Sequence, residues 1–231
     1  MKILSFNVKN FMHSKQLEEV ADLLKQLDAD VVGLQEVDRN TARSGKVDQP
    51  EEVARLAGYS YYAFGKNIDF QGGEYGNLVL SKYPILSAET VFYQAVEPKD
   101  HNRSYLRCEL DLGDKILYFY NTHLTLQKNG EAEQEVLEVT RRMCQDEPAV
   151  LVGDFNLAAE TVAVLAEPRF QVLNGGEGFD TQWTFPVGNA NVSIDNMVVS
   201  RTIKAEGVRV YRGTLSDHDP IYTHLELQGE M

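Results

Sequence analysis

The chain has 231 residues, 43% hydrophobic and 25% charged, and 35 Asp plus Glu against 22 Lys plus Arg give a formal net charge of −13. That composition can bury a sizeable core and excludes a low-complexity or disordered chain. The acidic balance repels a nucleic-acid backbone at long range, and the densest basic pair, Arg141-Arg142, is no stripe for holding a polymer. Cys108 and Cys144 stand apart without zinc spacing, which fits a reducing compartment. No run resembles a membrane span or a leader, and Met1 leads straight into an apolar strand, so a cytoplasmic protein is expected.

Lys2–Val8 reads as a buried strand. His13–Leu27 carries Leu17, Val20, Leu23, Leu24 and Leu27 at helical spacing, and Val31–Gln35 is a second apolar strand. A strand–helix–strand unit implies a parallel pair with a right-handed crossover. A short helix is expected at Glu51–Ala57 and strands at Tyr59–Phe64, Asn77–Ser81, Leu86–Tyr93 and Tyr105–Leu112. The opening layout then returns as strand Lys115–Asn121, helix Glu131–Cys144 and strand Ala149–Gly153. A helix over Leu157–Leu165 and strands at Ile194–Ser200, Val208–Tyr211 and Ile221–Leu227 complete the pattern. No linker-like stretch divides it, so one domain over residues 1–231 is expected, an α/β sandwich of two mixed sheets with helices outside.

Polar residues cluster just beyond the strand ends of both units, where ligands of open sheets tend to sit. Glu36 follows the Val31-Val32-Gly33-Leu34 run; it is either a solvated carboxylate or a hard oxygen ligand of the kind Mg²⁺ prefers. Asn7 is a turn residue, a hydrogen-bonding group or a helper at the same ion. In Gly153-Asp154-Phe155-Asn156 a glycine permits a sharp turn and two polar groups follow; the competing reading is an Asx turn capping the next helix. Ser216-Asp217-His218-Asp219-Pro220 is a polar turn or a metal-and-imidazole segment. Asp195 is a carboxylate inside a strand, unusual unless paired, and an imidazole is its natural partner. His123 ends an apolar strand, where a lone histidine is more often structural.

In chain order, Ser5-Phe6-Asn7-Val8, Leu34-Gln35-Glu36, Gly76-Asn77-Leu78-Val79-Leu80-Ser81, Asn121-Thr122-His123-Leu124, Gly153-Asp154-Phe155-Asn156, Ile194-Asp195 and Ser216-Asp217-His218-Asp219-Pro220 together resemble the endonuclease/exonuclease/phosphatase superfamily, the fold of pancreatic deoxyribonuclease and of abasic-site endonucleases. The resemblance implies a four-layer sandwich of two mixed sheets flanked by helices. It also implies that Glu36 holds Mg²⁺ or Mn²⁺ with Asn7 and Asp217 close to the ion, and that Asp154 and Asn156 orient and deprotonate the attacking water. His123 and His218 would donate to phosphate oxygens, with Asp195 orienting His218. Arg103 is expected to bind phosphate, with Arg107 as the competing assignment. Asn196 departs from the aromatic residue usual there and is expected to loosen packing behind Asp195.

These features predict a monomeric, metal-dependent phosphoester hydrolase. Its preferred substrate would be a small phosphorylated metabolite, nucleotide or lipid headgroup, because Gln71-Gly72-Gly73-Glu74 and Gly188-Asn189-Ala190-Asn191, the expected flexible rims, lack positive charge. A nuclease acting through local contacts is the alternative. A non-catalytic phosphate-binding module ranks lower, since Asp154, Asn156 and His218 are all present.

Overall fold

In the computed structural model, residues 1–12, 16–94, 102–126, 130–166 and 169–227 are described. In chain order the elements are β1 (Lys2–Asn7), α1 (Gln16–Leu27), β2 (Val31–Arg39), α2 (Gln49–Ala57), β3 (Tyr61–Phe70), β4 (Gly73–Ser81), β5 (Ile85–Phe92), β6 (Ser104–Asp111), β7 (Ile116–His123), α3 (Glu131–Met143), β8 (Ala149–Asp154), α4 (Ala159–Leu165), β9 (Phe170–Val172), β10 (Asp195–Ser200), β11 (Ile203–Ala205), β12 (Arg209–Val210) and β13 (Ile221–Leu227). His13, Ser14 and Lys15, the expected start of the first helix, lie outside the described residues.

One sheet runs β11-β13-β1-β2-β4-β3, with β12 also on β13; the other runs β5-β6-β7-β8-β10-β9. The β1–β2 and β7–β8 pairs are parallel, as strand–helix–strand units require. Apolar side chains fill three layers. Ile3, Val79, Leu106, Phe119, Val152 and Met197 lie between the sheets. Leu4, Val32 and Leu80 pack beneath Val20, Leu24 and Val53 of α1 and α2. Leu151 and Val198 pack beneath Val136, Val139 and Val162 of α3 and α4. The result is the expected four-layer sandwich. None of the helices in the described residues is long and apolar enough to cross a membrane.

Local chemistry sets the element ends. At the start of α2, the Asp48 side chain accepts from Glu51 N at 3.1 Å, Pro50 sits in the first turn, and Gly58 closes the helix at φ 80°. The hairpin of β3 and β4 is longer at both arms than the apolar spacing predicts. Lys66, Asn67 and Asp69 break the apolar pattern, while the turn at Gln71 and Gly72, with φ 47° and 72°, sets the pairing. The short edge strands β9 and β11 carry too few residues to show a period. α4 begins at Ala159, two residues later than expected, and its cap residue Ala158 offers no side-chain acceptor.

Buried amides join the two sheets below the strand ends. Asn121 on β7 donates from Nδ2 to Leu34 O (2.8 Å) and Leu78 O (2.9 Å) of the opposite sheet. Gln35 on β2 returns a bond from Nε2 to Asn121 Oδ1 at 2.7 Å. The sheets approach closely here: a Cβ on Gly33 would lie 2.5 Å from Val152 Cγ2. Asn121→Leu should therefore destabilise the fold by about 1–3 kcal/mol for each buried group left unpaired. Urea unfolding monitored by circular dichroism measures this, and a loss below a few tenths of a kcal/mol would contradict it.

Candidate active site

Strand ends and adjoining turns of both sheets deliver the polar residues to one cleft of about 410 Å³, lined among others by Glu36, Arg103, His123, Asp154, Asn156, Asp217 and His218. Asn7 and His123 are the last residues of β1 and β7, and Asp154 is the last of β8. Asp195 opens β10, paired in register with Asp154. Glu36 does not follow its strand, as the apolar run suggests, but lies within it. β2 continues to Arg39, and Glu36 is the extra residue of a bulge between Leu34 and Val37, at φ 61°. A bulge re-aims one side chain without ending the strand, and a non-glycine residue in the left-handed region is held there by its surroundings. At the parallel position of the other sheet, a Cβ on Gly153 would lie 2.0 Å from Thr122 O, so only glycine fits.

Asn7 is the central link. Its Nδ2 donates to Glu36 Oε1 at 3.1 Å and to Asp154 Oδ2 at 3.0 Å, while its Oδ1 accepts from Lys9 N at 3.1 Å. With the carbonyl occupied, the side chain presents N–H groups to the carboxylates. Asp154 uses Oδ1 to accept from Asn156 N (2.9 Å), the expected Asx turn. That turn leads no helix cap; it aims Oδ2 into the cleft. Asn156, at φ 50°, donates from Nδ2 to Leu124 O at 2.9 Å. His218 Nδ1 lies 2.9 Å from Asp195 Oδ2, and its Nε2 lies 3.6 Å from Asp154 Oδ2. His123 Nε2 approaches the same oxygen at 3.5 Å. Ser216 Oγ donates to Asn7 O at 2.7 Å, fixing the 216–218 segment against β1. Asp219 turns away and pairs with Arg212 at 2.7 Å.

These surroundings separate the proton affinities. Burial, then the nearby Asp195 carboxylate, pushes Asp154 up to about 7. Burial alone would lower His218, but Asp195, Asp154 and Asp217 outweigh it and raise the imidazole to about 10. Burial, with Arg103 and His218 nearby, holds His123 well below its ordinary value. At neutral pH the cleft therefore holds a carboxyl poised to titrate, an imidazolium and a neutral imidazole.

Arg103 lines the cleft and makes no ion pair among the described residues. Arg107 is held elsewhere: its Nε lies 2.6 Å from Asp146 Oδ2, Glu109 is 3.0 Å away, and the side chain is buried. The expected loosening behind Asp195 does not occur. Asn196 is buried and exchanges bonds with the Asn174 backbone (3.1 and 3.0 Å), and Asn174 Nδ2 in turn donates to Asp195 O at 2.9 Å. A satisfied amide pair takes the place of the ring.

Sequence reading missed several residues in and around the cleft. Lys9 Nζ stands 2.5 Å from Asp217 Oδ2; a basic residue two places beyond Asn7 was the available signal. Arg43 pairs with Asp38 through two bonds (2.7 and 2.8 Å) and lies over the Phe70 and Tyr75 rings. The 71–74 rim consequently has positive neighbours that its own sequence lacks: Arg43, Lys46, whose Nζ reaches Gly72 O at 3.1 Å, and Arg39, which pairs with Glu74. The Phe185 ring packs on His218 at 4.8 Å. Ile68, Leu126 and Ile194 complete the walls. No local pattern marks these residues, which meet only through the tertiary fold.

Hard oxygen donors Glu36 and Asp217 line this cleft, Asp217 being paired with the Lys9 ammonium. The donor set thus fits Mg²⁺ or Mn²⁺. Asp154, Asp195 and His218 also bring ligand atoms within 4.8 Å of one another. His218 Nδ1, however, is already occupied by Asp195, which suits a hydrogen-bonded relay better than a coordination shell.

The profile of the Endonuclease/Exonuclease/phosphatase family matches residues 4–218. Among relatives, the chain is 26% identical to the protein YbhP of Escherichia coli, covering 98% of this chain and 96% of that one. It is 24% identical to an exodeoxyribonuclease of Bacillus subtilis, covering 96% and 98%. Among solved structures, an endonuclease/exonuclease/phosphatase from Beutenbergia cavernae superposes with a TM-score of 0.82 at 20% identity, covering 99% of this chain and 72% of that one.

The proton affinities predict a bell-shaped pH profile for any hydrolysis that uses Asp154 as base and His218 as acid or donor. Activity should rise through about 7 as Asp154 ionises and fall near 10 as His218 loses its proton. Asp195 raises both groups, so Asp195→Asn should move both limbs to lower pH. Limbs that stay in place while the rate falls would show that Asp195 does not act through these two groups.

Proposed function

Because the chain belongs to the Endonuclease/Exonuclease/phosphatase family, whose members hydrolyse phosphoester bonds, we propose that it is a metal-dependent phosphoester hydrolase acting on a small phosphorylated compound. The observation that carries this reading is the single oxygen Asp154 Oδ2, which Asn7, His123 and His218 all face, beside the Glu36 carboxylate.

In this reading Asp154, ionised above about 7, takes the proton of the attacking water. Asn156 shapes the turn that aims it. The His218 imidazolium, its ring held by Asp195 and backed by Phe185, donates from Nε2 to a phosphate oxygen. His123, neutral, donates one hydrogen bond to a second oxygen, and Arg103 offsets phosphate charge at the mouth. Glu36 and Asp217 would hold the divalent ion, and Asn7 steadies the Glu36 carboxylate. When bound, the ion would neutralise charge developing on the phosphoryl oxygens. Removing one such electrostatic donor typically costs about 10²–10³ in rate.

The net charge of −13 argues for small substrates over polynucleotides. A nuclease is the second reading, favoured by the similarity to the Bacillus subtilis exodeoxyribonuclease. A panel of monoesters, diesters, nucleotides and DNA with Mg²⁺ or Mn²⁺ distinguishes the two.

Asp154→Asn and His218→Ala should each lower hydrolysis of bis-p-nitrophenyl phosphate by about 10²-fold or more, with the circular dichroism spectrum unchanged; wild-type rates in both would end the assignment. In calorimetric titration, Glu36→Gln should weaken Mn²⁺ binding at least about tenfold, and Asp195→Asn should leave it near wild type. The reverse order would move the ion to the Asp154–Asp195–His218 cluster.

A further inference from the structure

The walls of the cleft differ from its floor. The floor is ionic, whereas the walls carry Ile68, Phe70 and Tyr75 from the β3–β4 hairpin of one sheet and Leu126, Phe185 and Ile194 from segments that follow β7 or precede β10 of the other. Leu126 is 59% exposed, although nothing about a surface loop requires a large aliphatic side chain there. Phe70 and Tyr75 are fixed as a pair. Their rings lie 6.5 Å apart, and the Arg43 guanidinium covers both, at 4.5 and 5.5 Å, while Asp38 holds it from behind. A platform already immobilised loses little freedom when a ligand lands on it.

The polar groups of the walls are largely committed. Arg43 is engaged by Asp38, and the Asn156 amide donates to Leu124 O. Among the described residues, the polar groups left to meet a ligand are few: the Tyr75 hydroxyl, the Asn156 Oδ1 and the Arg103 guanidinium, the last assigned above to phosphate. A polyol or sugar alcohol would bring several hydroxyls to a surface with few partners, and each unpartnered hydroxyl opposes binding. A flat apolar group would cover the exposed ring and aliphatic surface instead. A cleft of about 410 Å³ has room for a phosphate and a ring system.

Resting on the phosphoesterase reading above, we propose that the alcohol portion of the substrate is a planar apolar group, seated between the Phe70–Tyr75 face and the Phe185–Leu126 face. The preferred substrates are thus esters of aryl or arylmethyl alcohols rather than of sugars or polyols.

The test compares benzyl, octyl and glycerol phosphates, each as the monoester and as its methyl diester. All three are primary-alcohol esters of similar leaving ability, so differences in kcat/KM report recognition. The benzyl ester should exceed the glycerol ester by at least about tenfold, and exceed the octyl ester. Phe70→Ala and Leu126→Ala should each lower the benzyl-to-glycerol ratio severalfold, mainly through KM. Leu126 is exposed, so its variant tests the wall without threatening the fold. Equal or better use of the glycerol ester, preference for the octyl chain, or a ratio indifferent to both variants would overturn the proposal. If no ester turns over, the hydrolase reading falls. The wall is then judged by calorimetry with benzylphosphonate and 2,3-dihydroxypropylphosphonate on the wild-type protein: tenfold tighter binding of the former supports it, and equal binding overturns it.

Discussion

One side-chain amide governs this molecule. Asn7 belongs to one sheet, yet its Nδ2 contacts Glu36 of that sheet and Asp154 of the other. The carboxylate proposed to hold the ion and the proposed base are therefore spaced by how the two sheets stack. Below them, Gln35 and Asn121 pin the same interface with buried hydrogen bonds. Catalytic geometry tolerates little displacement, and a rigid scaffold below the reacting groups provides that precision. The inter-sheet core supplies most of the adhesion; the amides supply the register.

Charge is the second constraint. Glu36, Asp154, Asp195 and Asp217 converge on a space that an ordinary core could not accommodate. Positive groups offset them: the His218 imidazolium between Asp195 and Asp154, the Lys9 ammonium on Asp217, and the Arg103 guanidinium at the mouth. The hard carboxylate oxygens of Glu36 and Asp217 are the physical reason for a divalent ion in the proposed chemistry. Burial and the same crowding raise Asp154 toward neutrality, so the arrangement that makes the site costly is the one that would suit Asp154 to the proposed role of base.

Much of this was readable in the sequence. The two strand–helix–strand units follow from apolar periodicity, and their strand ends carry Asn7, His123 and Asp154 to one place. The role of Glu36 as a bulge residue was not readable, because a bulge is defined by the partner strand β4. Asn196 looked like a defect in packing, since its partner Asn174 lies 22 residues away in a loop without a repeating pattern. The 71–74 rim looked uncharged because Arg39, Arg43 and Lys46 reach it from an earlier loop. Residues that speak to their own neighbours were visible, whereas those answering a distant strand were not.

Asp195 faces Asp154 across an antiparallel ladder, with Asn196 opposite Gly153 and Met197 opposite Val152. Strand side chains alternate faces, so inserting or deleting one residue in β10 would swing this carboxylate to the far side of its sheet and bury a neighbour's polar group in the apolar layer. The 188–191 turn, exposed at Gly188, Asn189 and Asn191, obeys no such parity. Changes of length there would reshape the entrance beside Phe185 and leave the reacting carboxylates untouched. Lineages of this fold can thus diversify what they admit through loop length while the strand count around the base stays frozen.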